Sequence, residues 1–359
     1  MKYSLPALAA LLLAAVSPAT SLAQTAAGQP DEVSVKLDLA RTCREQGDTG
    51  KAERLYLEIL EGKAGRAEAH NGLGFLYERN GEYPRAIESY RKALEIRPDW
   101  ARPLFHIGSC LLEQKKYDEA EKTLRAAAKA DPADASPRNR LGILYTETGR
   151  ITAAEREYMA AADARPEWIA PYWNLVLLYD RQGRYRASGK CLDVILDIDP
   201  SNFDALYQRT RHLVGSVDYA MALRYAKKLV KLYPGRAASH EALGIAHWSR
   251  EDLADAEASF RRAIAIDPEY AGGYLGLGHV RLRQKQYDQA KENYRRALAI
   301  DNSLSDAHRG LEMAESKQQH EKKVGGGCAM APNFASVSPL GMLHYLAVIV
   351  PALLLRRRL

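Results

Sequence analysis

The chain has 359 residues, and 47% of them are hydrophobic, so it is long enough to bury a sizeable core. Tyr occurs 20 times against 5 Phe and 4 Trp, and alanine is abundant, a mixture that favours closely packed helices over a β-sandwich. The formal charge is +6, but Lys2 and the three arginines near the C-terminus supply most of it. The rest of the chain mixes both signs, which argues against a nucleic-acid-binding protein, since such proteins carry a basic stripe.

Residues 1–23 have the features of an export signal. Lys2 supplies the positive start, residues 5–16 (LPALAALLLAAV) form a short apolar core, and residues 21–23 (SLA) offer the small side chains that signal peptidase reads. We predict cleavage before Gln24, a linker over residues 24–32 and a mature protein outside the cytoplasm. The alternative is that the apolar core stays uncleaved as a membrane anchor, although it is short for a span.

The region that follows repeats itself every 34 residues. AEAHNGLGFLYERNGEYPRAIESYRKALEIRPDW (67–100) and AASHEALGIAHWSREDLADAEASFRRAIAIDPEY (237–270) match position for position. The same frame runs without insertion over residues 33–304, which gives eight units. Residues 305–323 begin like another first helix and then become polar, as expected for a helix that caps the end of the array.

Recurring residues predict a helix–turn–helix in every unit. A small residue at unit position 8 and another at position 20 let two helices approach closely, a glycine at position 15 suits the turn between them, and a proline at position 32 ends the second helix. Units five and six carry Val176 and Thr210 at position 8, which we interpret as local repacking. The position-8 glycines are Gly74, Gly108, Gly142, Gly244 and Gly278, and large position-24 residues are Tyr56, Tyr90, Tyr158, Phe260 and Tyr294.

This pattern resembles the tetratricopeptide repeat, a helix–turn–helix unit of the same length. The resemblance implies an all-α fold, namely a right-handed superhelical solenoid of eight helix–turn–helix repeats with a C-terminal capping helix. The tryptophan that the family commonly carries at position 4 is absent, but this position varies within the family.

The resemblance also implies a concave groove lined by first-helix positions 2, 5, 9, 12 and 13. Aromatic and Arg side chains there would anchor a protein or peptide partner, because they bury large areas at modest entropic cost. Packing between helices is an equal alternative for Trp173 and Tyr207, and the favoured one for Trp248. The candidate groove residues are Phe105, Asn139, Trp173, Asn174, Tyr207, Arg211 and Trp248.

Two groove chemistries known in the family do not fit this sequence. A clamp for a terminal carboxylate uses Lys and Asn, whereas the first unit offers Leu37 and Arg41. A ladder of asparagines needs Asn at position 6 of successive units, and Asn174 alone meets this condition because Asn71 and Asn139 fall one position earlier.

No motif of an enzyme, cofactor site or metal site is present. The chain has no glycine-rich phosphate loop, HExxH, GxSxG or paired CxxC. His240 and His247 share a helix, but two histidines make a poor metal site, and packing or solvent exposure is the favoured interpretation. Cys43, Cys110 and Cys191 lie in alternate units, too far apart to bridge, and are interpreted as small buried hydrophobic residues. We therefore expect no catalytic residue and no cofactor.

The C-terminus combines three segments. A Gly/Cys motif and spacer (324–339) come first. They are followed by an apolar stretch (340–355), which is predicted to be a transmembrane helix, and by a basic tail (356–359). This arrangement resembles the bacterial CTERM sorting signals, most closely the JDVT-CTERM and MYXO-CTERM classes related to GlyGly-CTERM. The resemblance implies cleavage by an intramembrane protease near Gly327 and modification of Cys328; a permanent C-terminal anchor is the alternative. The residues concerned are Gly325, Gly326, Gly327, Cys328, Arg356, Arg357 and Arg358.

These features together predict an exported scaffold on the periplasmic or cell-surface side of a bacterial envelope. It would hold a protein or peptide in its groove as an adaptor of secretion, polysaccharide export or surface assembly. The alternative is a non-catalytic accessory subunit of an envelope enzyme, such as a transferase or protease.

Overall fold

The computed structural model describes residues 32–62 and 65–324, which form seventeen helices and no strand. The expected all-α fold is therefore confirmed. The chain divides into two compact units, residues 1–131 and 132–359. In each unit, consecutive helices pack against each other.

The second helix of each repeat begins at residue 49, 83, 117, 151, 185, 219, 253 or 287, always 34 residues after the previous one. The first compact unit holds α1 (Glu32–Glu45), α2 (Thr49–Glu61), α3 (Arg66–Arg79), α4 (Tyr83–Ile96), α5 (Ala101–Glu113) and α6 (Tyr117–Ala130). The second holds α7 (Ser136–Glu147), α8 (Ile151–Ala164), α9 (Ile169–Arg181), α10 (Tyr185–Ile198), α11 (Phe203–Gly215), α12 (Tyr219–Leu232), α13 (Ala237–Ser249), α14 (Leu253–Ile266), α15 (Ala271–Arg283), α16 (Tyr287–Ile300) and α17 (Ser305–Val324).

The turn inside each repeat uses a left-handed backbone at position 15. Glycine occupies this position in four repeats, with φ between +70° and +84°. The other four repeats keep a positive φ with a non-glycine residue, between +59° and +65°. The packing of the two helices therefore imposes this conformation on whichever residue stands there. The four non-glycine residues are Lys115, Val217, Glu251 and Lys285.

Replacing Val217 with glycine is expected to stabilise the protein. A β-branched residue is strained at a φ of +65°, and the Val217 side chain is 63% exposed, so its removal loses little packing. Relief of the left-handed strain exceeds the entropic cost of glycine by about 0.5–1 kcal/mol. The urea midpoint of Val217→Gly should rise, and that of Gly149→Val, at the same position of another repeat, should fall. A midpoint for Val217→Gly at or below that of the wild type would contradict this account.

The ring at position 24 packs directly on the position-8 glycine of its own repeat. A Cβ atom on Gly142 would lie 2.4 Å from the Tyr158 ring, and one on Gly278 would lie 2.5 Å from the Tyr294 ring. These distances are far shorter than a van der Waals contact. The structure thus confirms that a small residue at position 8 is needed where a ring stands at position 24.

A second glycine, which the sequence analysis did not single out, lies on the opposite side of the same rings. Phe260 is fully buried between Gly244 of its own repeat and Gly276 of the next. Tyr294 is enclosed in the same way by Gly278 and Gly310. The ring therefore connects successive repeats as well as the two helices of one repeat.

Repeats five and six compensate for the missing position-8 glycine with a smaller residue at position 24. Val176 is buried in the same cluster as Leu192, and the buried Thr210 is accompanied by Ala226 at position 24. A larger residue at position 8 and a smaller one at the facing position 24 keep the total volume of the core nearly the same. This explains the irregularity as local repacking.

The ends of the described chain differ from the predicted boundaries by one residue. α1 begins at Glu32, inside the predicted linker, and α17 ends at Val324. α17 packs against α15 and α16, and its Ala307 and Ala314 are fully buried, as expected for a capping helix. Within residues 32–62 and 65–324, no helix is long and apolar enough to cross a membrane. The predicted signal peptide, sorting motif, apolar segment and basic tail lie outside the described residues.

Candidate functional site

The first helices of the second compact unit place their equivalent side chains next to one another. α11 contacts α13, and α13 contacts α15. Unit positions 2, 5, 9, 12 and 13 of these first helices, together with Asn174 at position 6, define what we call the first-helix face. Tyr207 and Glu241 both occupy position 5, 34 residues apart, and a hydrogen bond joins their side chains. The repeat frame thus brings candidate groove residues into contact across helices.

Glu241 lies at the centre of a buried hydrogen-bond cluster on this face. Its side chain is 5% exposed, and one carboxylate oxygen, Oε2, accepts from the Tyr207 hydroxyl at 2.7 Å and from the Tyr270 hydroxyl at 2.6 Å. Burial and the neighbouring Glu241 carboxylate raise the pKa of both tyrosines above the ordinary value, so both hydroxyls stay protonated donors at neutral pH. The cluster fixes the orientation of the Tyr207 ring.

Two further features hold this cluster in place. Arg211 is 4% exposed, and its guanidinium lies 5.8 Å from the centre of the Tyr207 ring. On the other side, a Cβ atom on Gly272 of α15 would lie 2.4 Å from Glu241 Oε1. Glycine at this position therefore leaves the space that the Glu241 carboxylate occupies. The sequence analysis did not identify Tyr270 and Gly272 as site residues. Both lie at the start of α15, close to the position-5 residue Glu241 of the preceding repeat.

Asn139 and Asn174 form a hydrogen-bonded amide pair between α7 and α9. Asn174 Nδ2 donates to Asn139 Oδ1 at 2.9 Å. The remaining amide atoms, Asn139 Nδ2 and Asn174 Oδ1, form no hydrogen bond within the described residues. Both are partly shielded, since Asn139 is 8% exposed and Asn174 is half-buried. One donor group and one acceptor are therefore left without a partner among the described residues, in either orientation of the amides. Positions 5 and 6 of successive repeats therefore do meet, although the sequence pattern of a ladder is absent.

Trp173 stands beside this amide pair and is half-buried. Its ring packs against the cluster that contains Val176, Leu192 and Leu206. The indole N–H is enclosed and has no acceptor among the described residues, so the accessible part of Trp173 is apolar ring surface. Packing and partner contact are thus compatible for this residue, because one part of the ring faces the core and another stays accessible.

Trp248 has a different environment. It packs against a cluster that includes Val214, Ile245 and Phe260, and the centre of its ring lies 6.1 Å from that of His279. Burial lowers the pKa of His279 to about 4, so this histidine is neutral at physiological pH. The surroundings of Trp248 are those of a packing residue.

Phe105 belongs to the first compact unit and is described there alone. It is half-buried, and its ring packs edge-on against His106 with 5.2 Å between centres. His106 in turn stacks on Tyr90 at 5.2 Å, in place of the glycine that faces the position-24 ring elsewhere. Aromatic surface therefore exists on the first helices of this unit as well.

Possible metal ligands and thiols are the reactive groups of interest within residues 32–62 and 65–324. Within residues 32–62 and 65–324, no group of three His, Cys, Asp or Glu could hold a metal ion. Burial, together with the Asp180 and Glu155 carboxylates, raises the pKa of the Cys191 thiol to about 11, so the thiol is protonated and a poor nucleophile at neutral pH. Cys43 and Cys110 are buried, whereas Cys191 is half-buried.

Comparison with known families and structures agrees with this architecture. Residues 37–164 match the model of the Cilia and flagella-associated protein 70 middle TPR-like domain. Residues 207–271 and 247–313 match two Tetratricopeptide repeat models. The chain is a tetratricopeptide-repeat protein. The crystal structure of the C-terminal part of a TPR repeat-containing protein from Cytophaga hutchinsonii has the same fold, with a TM-score of 0.54 at 17% identity over 66% of this chain and 98% of that chain.

Other relatives of this tetratricopeptide-repeat protein match shorter stretches. A curated relative, the Photosystem I assembly protein Ycf3 of a Synechococcus strain, is 37% identical over 70 residues, which is 19% of this chain and 40% of the relative. The pilF structure from Pseudomonas aeruginosa is 24% identical and covers 58% of this chain and 95% of that chain, with a TM-score of 0.49. The tetratricopeptide-repeat protein therefore spans less than half the length of its curated relative.

Proposed function

We propose that the protein is a non-enzymatic scaffold that binds an extended segment of a partner protein on the first-helix face of repeats four to seven. The observation that carries this proposal is the Asn139–Asn174 pair, which leaves one donor group and one acceptor without a partner among the described residues, next in sequence to Trp173 and its partly exposed ring. A peptide unit presents one acceptor and one donor of its own, so the pair is complementary to a partner backbone.

The same face is organised before a partner arrives. The Glu241 carboxylate accepts a hydrogen bond from the Tyr207 hydroxyl and so holds the Tyr207 ring in place. The Arg211 guanidinium lies over the same ring. A side chain that is already held loses little freedom on binding, which improves affinity. The aromatic rings supply contact area, while the amide pair sets the direction and register of the bound segment.

The experiment for this function is capture of the partner by crosslinking in membranes of the native host. Asn174→Ala should weaken the captured complex about threefold to tenfold, the effect of losing one or two hydrogen bonds. Asn302→Ala, on an exposed turn, serves as the matched control and should leave the affinity unchanged. Equal affinity of the two variants would reject the amide pair as the binding element. Transferase or protease activity in the captured complex would favour the accessory-subunit role over an adaptor of secretion, polysaccharide export or surface assembly.

The location of this scaffold is proposed from the chain termini. Residues 1–23 direct export of the chain, and signal peptidase then removes them by cleavage before Gln24. The repeats are thereby placed in the envelope. Residues 324–359 act as a sorting signal, which an intramembrane protease cuts near Gly327 before Cys328 is modified. The terminal arginines stay on the cytoplasmic side, which keeps the repeats on the opposite side of the membrane.

Intact-mass analysis of the protein from its own host tests the sorting proposal. We expect a mature form that begins at Gln24, ends near Gly327 or Cys328, and has lost Arg356 to Leu359. Cys328→Ser should abolish processing or anchoring, whereas Cys191→Ser in the repeats should leave both intact. A mature form that keeps Arg356 to Leu359 would show a permanent anchor instead.

A further inference from the structure

Helix α12 differs from the other described helices in its charge. It carries Arg224, Lys227, Lys228 and Lys231 and no carboxylate. Among the helices within residues 32–62 and 65–324, every other one with more than two charged Asp, Glu, Lys or Arg residues carries both signs. Because the repeats as a whole mix both signs of charge, the composition of the chain hides this local excess.

The four cations form one exposed surface, which we call the basic face. All four side chains are exposed, and none forms an ion pair or hydrogen bond with another described residue. Arg224 and Lys228, and likewise Lys227 and Lys231, are four residues apart, so they lie side by side on the helix. Like charges at this spacing destabilise a helix. The isolated fold gains nothing from this arrangement.

Elements next to the basic face do not neutralise it. α12 packs against α11 and α13. Their carboxylates are Asp204 and Glu241, neither of which pairs with a cation of α12, and Glu241 accepts from the Tyr207 and Tyr270 hydroxyls. Asp218, which directly precedes α12, caps the start of the helix by accepting from the Met221 backbone N–H. Apolar side chains flank α12 at its two ends, where Val217 is 63% exposed and Leu232 is 42% exposed.

We infer that the basic face of α12 docks on the anionic headgroups of a lipid bilayer. Lysine ammonium groups are flexible point charges without a fixed hydrogen-bond geometry, which suits mobile headgroups better than a single shaped partner. Val217 and Leu232 add apolar contacts at the boundary between headgroups and acyl chains. This inference goes beyond the proposed function, because the first-helix face of the same repeat lies on α11 and does not include these residues.

The chain provides a matched control in α6. Lys122, Arg125 and Lys129 occupy the same repeat positions as Arg224, Lys227 and Lys231. In α6 these cations are accompanied by Asp118 and Glu119 in the first turn, and Arg125 pairs with Glu121 at 2.8 Å. Removing three positive charges from α6 or from α12 changes the net charge of the protein by the same amount. The basic face is altered only by the change in α12.

Flotation of the purified full-length chain with lipid vesicles tests the inference. We expect stronger binding to mixed phosphatidylcholine–phosphatidylglycerol vesicles than to phosphatidylcholine alone. The ratio of the two affinities should fall at least about tenfold in the Arg224→Gln, Lys227→Gln, Lys231→Gln variant, since each cation near an anionic surface contributes substantially. The Lys122→Gln, Arg125→Gln, Lys129→Gln variant should keep the wild-type ratio.

The predicted C-terminal apolar segment would insert into both kinds of vesicle, because apolar insertion does not require an anionic headgroup. The ratio of the two affinities therefore reports the contribution of the anionic headgroups alone. Equal binding of the wild type to both kinds of vesicle would overturn the inference. If the affinity ratio fell equally in the α6 and α12 variants, the inference would also be overturned. Such a result would show that binding depends on the net charge of the protein and not on the basic face. Unchanged helical circular dichroism in both variants ensures that the comparison concerns folded protein.

Discussion

Replacing Gly142 with leucine is expected to lower the free energy of unfolding by about 1–3 kcal/mol or more. Even a Cβ atom at this position would lie 2.4–2.5 Å from two carbons of the Tyr158 ring. Tyr158 is 3% exposed and belongs to the buried interior of its repeat, so the ring cannot swing into solvent without losing its packing. The larger side chain must therefore separate α7 from α8.

Thermal and urea unfolding of the purified variants measure this effect. Gly235→Leu is the matched control, because no heavy atom lies within 4 Å of a Cβ at Gly235 and its backbone is not left-handed. The control should stay within about 0.5 kcal/mol of the wild type, as surface substitutions generally do. An unfolding midpoint for Gly142→Leu equal to that of the control would refute the close approach of the two helices.

Replacing Trp173 with alanine is expected to weaken partner binding at least about tenfold, since interface anchors of this kind are often worth 2 kcal/mol or more. Trp173 directly precedes Asn174 of the amide pair on the same helix, and the accessible part of its ring is apolar because the indole N–H is enclosed. Loss of the ring removes apolar contact area next to the hydrogen bonds, and it admits water to them. The dissociation rate of the crosslinking-identified partner, measured with the immobilised scaffold, reports the change.

The control for this variant must separate binding from folding. Tyr172 is the adjacent residue, is half-buried, and packs against the same hydrophobic cluster as Trp173, but it occupies position 4, outside the first-helix face. Tyr172→Ala should lower stability to a similar degree and leave affinity near the wild-type value. If both variants lose affinity equally at matched helical content, Trp173 acts through packing alone.

The packing of glycines against rings explains which parts of the fold the sequence pattern predicted. Gly142, Gly244 and Gly278 recur at one position because each faces a ring on its partner helix, and such a local constraint repeats with the unit. Gly276 and Gly310 serve the next interface and recur less regularly, since His106 occupies the equivalent position in repeat three. A pattern search within single units therefore found the first set and missed the second.

In the candidate site, too, some contacts follow from the repeat positions and others do not. Position rules identified Trp173, Tyr207 and Arg211, because side chains at fixed unit positions share one face of stacked helices. The same rules kept Asn139 and Asn174 apart by one position, yet the two amides are within hydrogen-bond distance. Side-chain length and helix stacking decide such a contact, and neither can be read from the repeat register.

The sequence by itself determined the all-α repeat, its period, the turns and the small residues between paired helices, since these depend on backbone propensity and on contacts inside one unit. Tertiary structure alone decided that Glu241 binds both Tyr207 and Tyr270 through one oxygen. It also decided that the cations of α12 have no carboxylate partner among the described residues, whereas Arg125 of α6 does. Hydrogen bonds and ion pairs between repeats depend on distances of a few ångströms between residues about 30 positions apart, and such distances exist only after the helices have stacked.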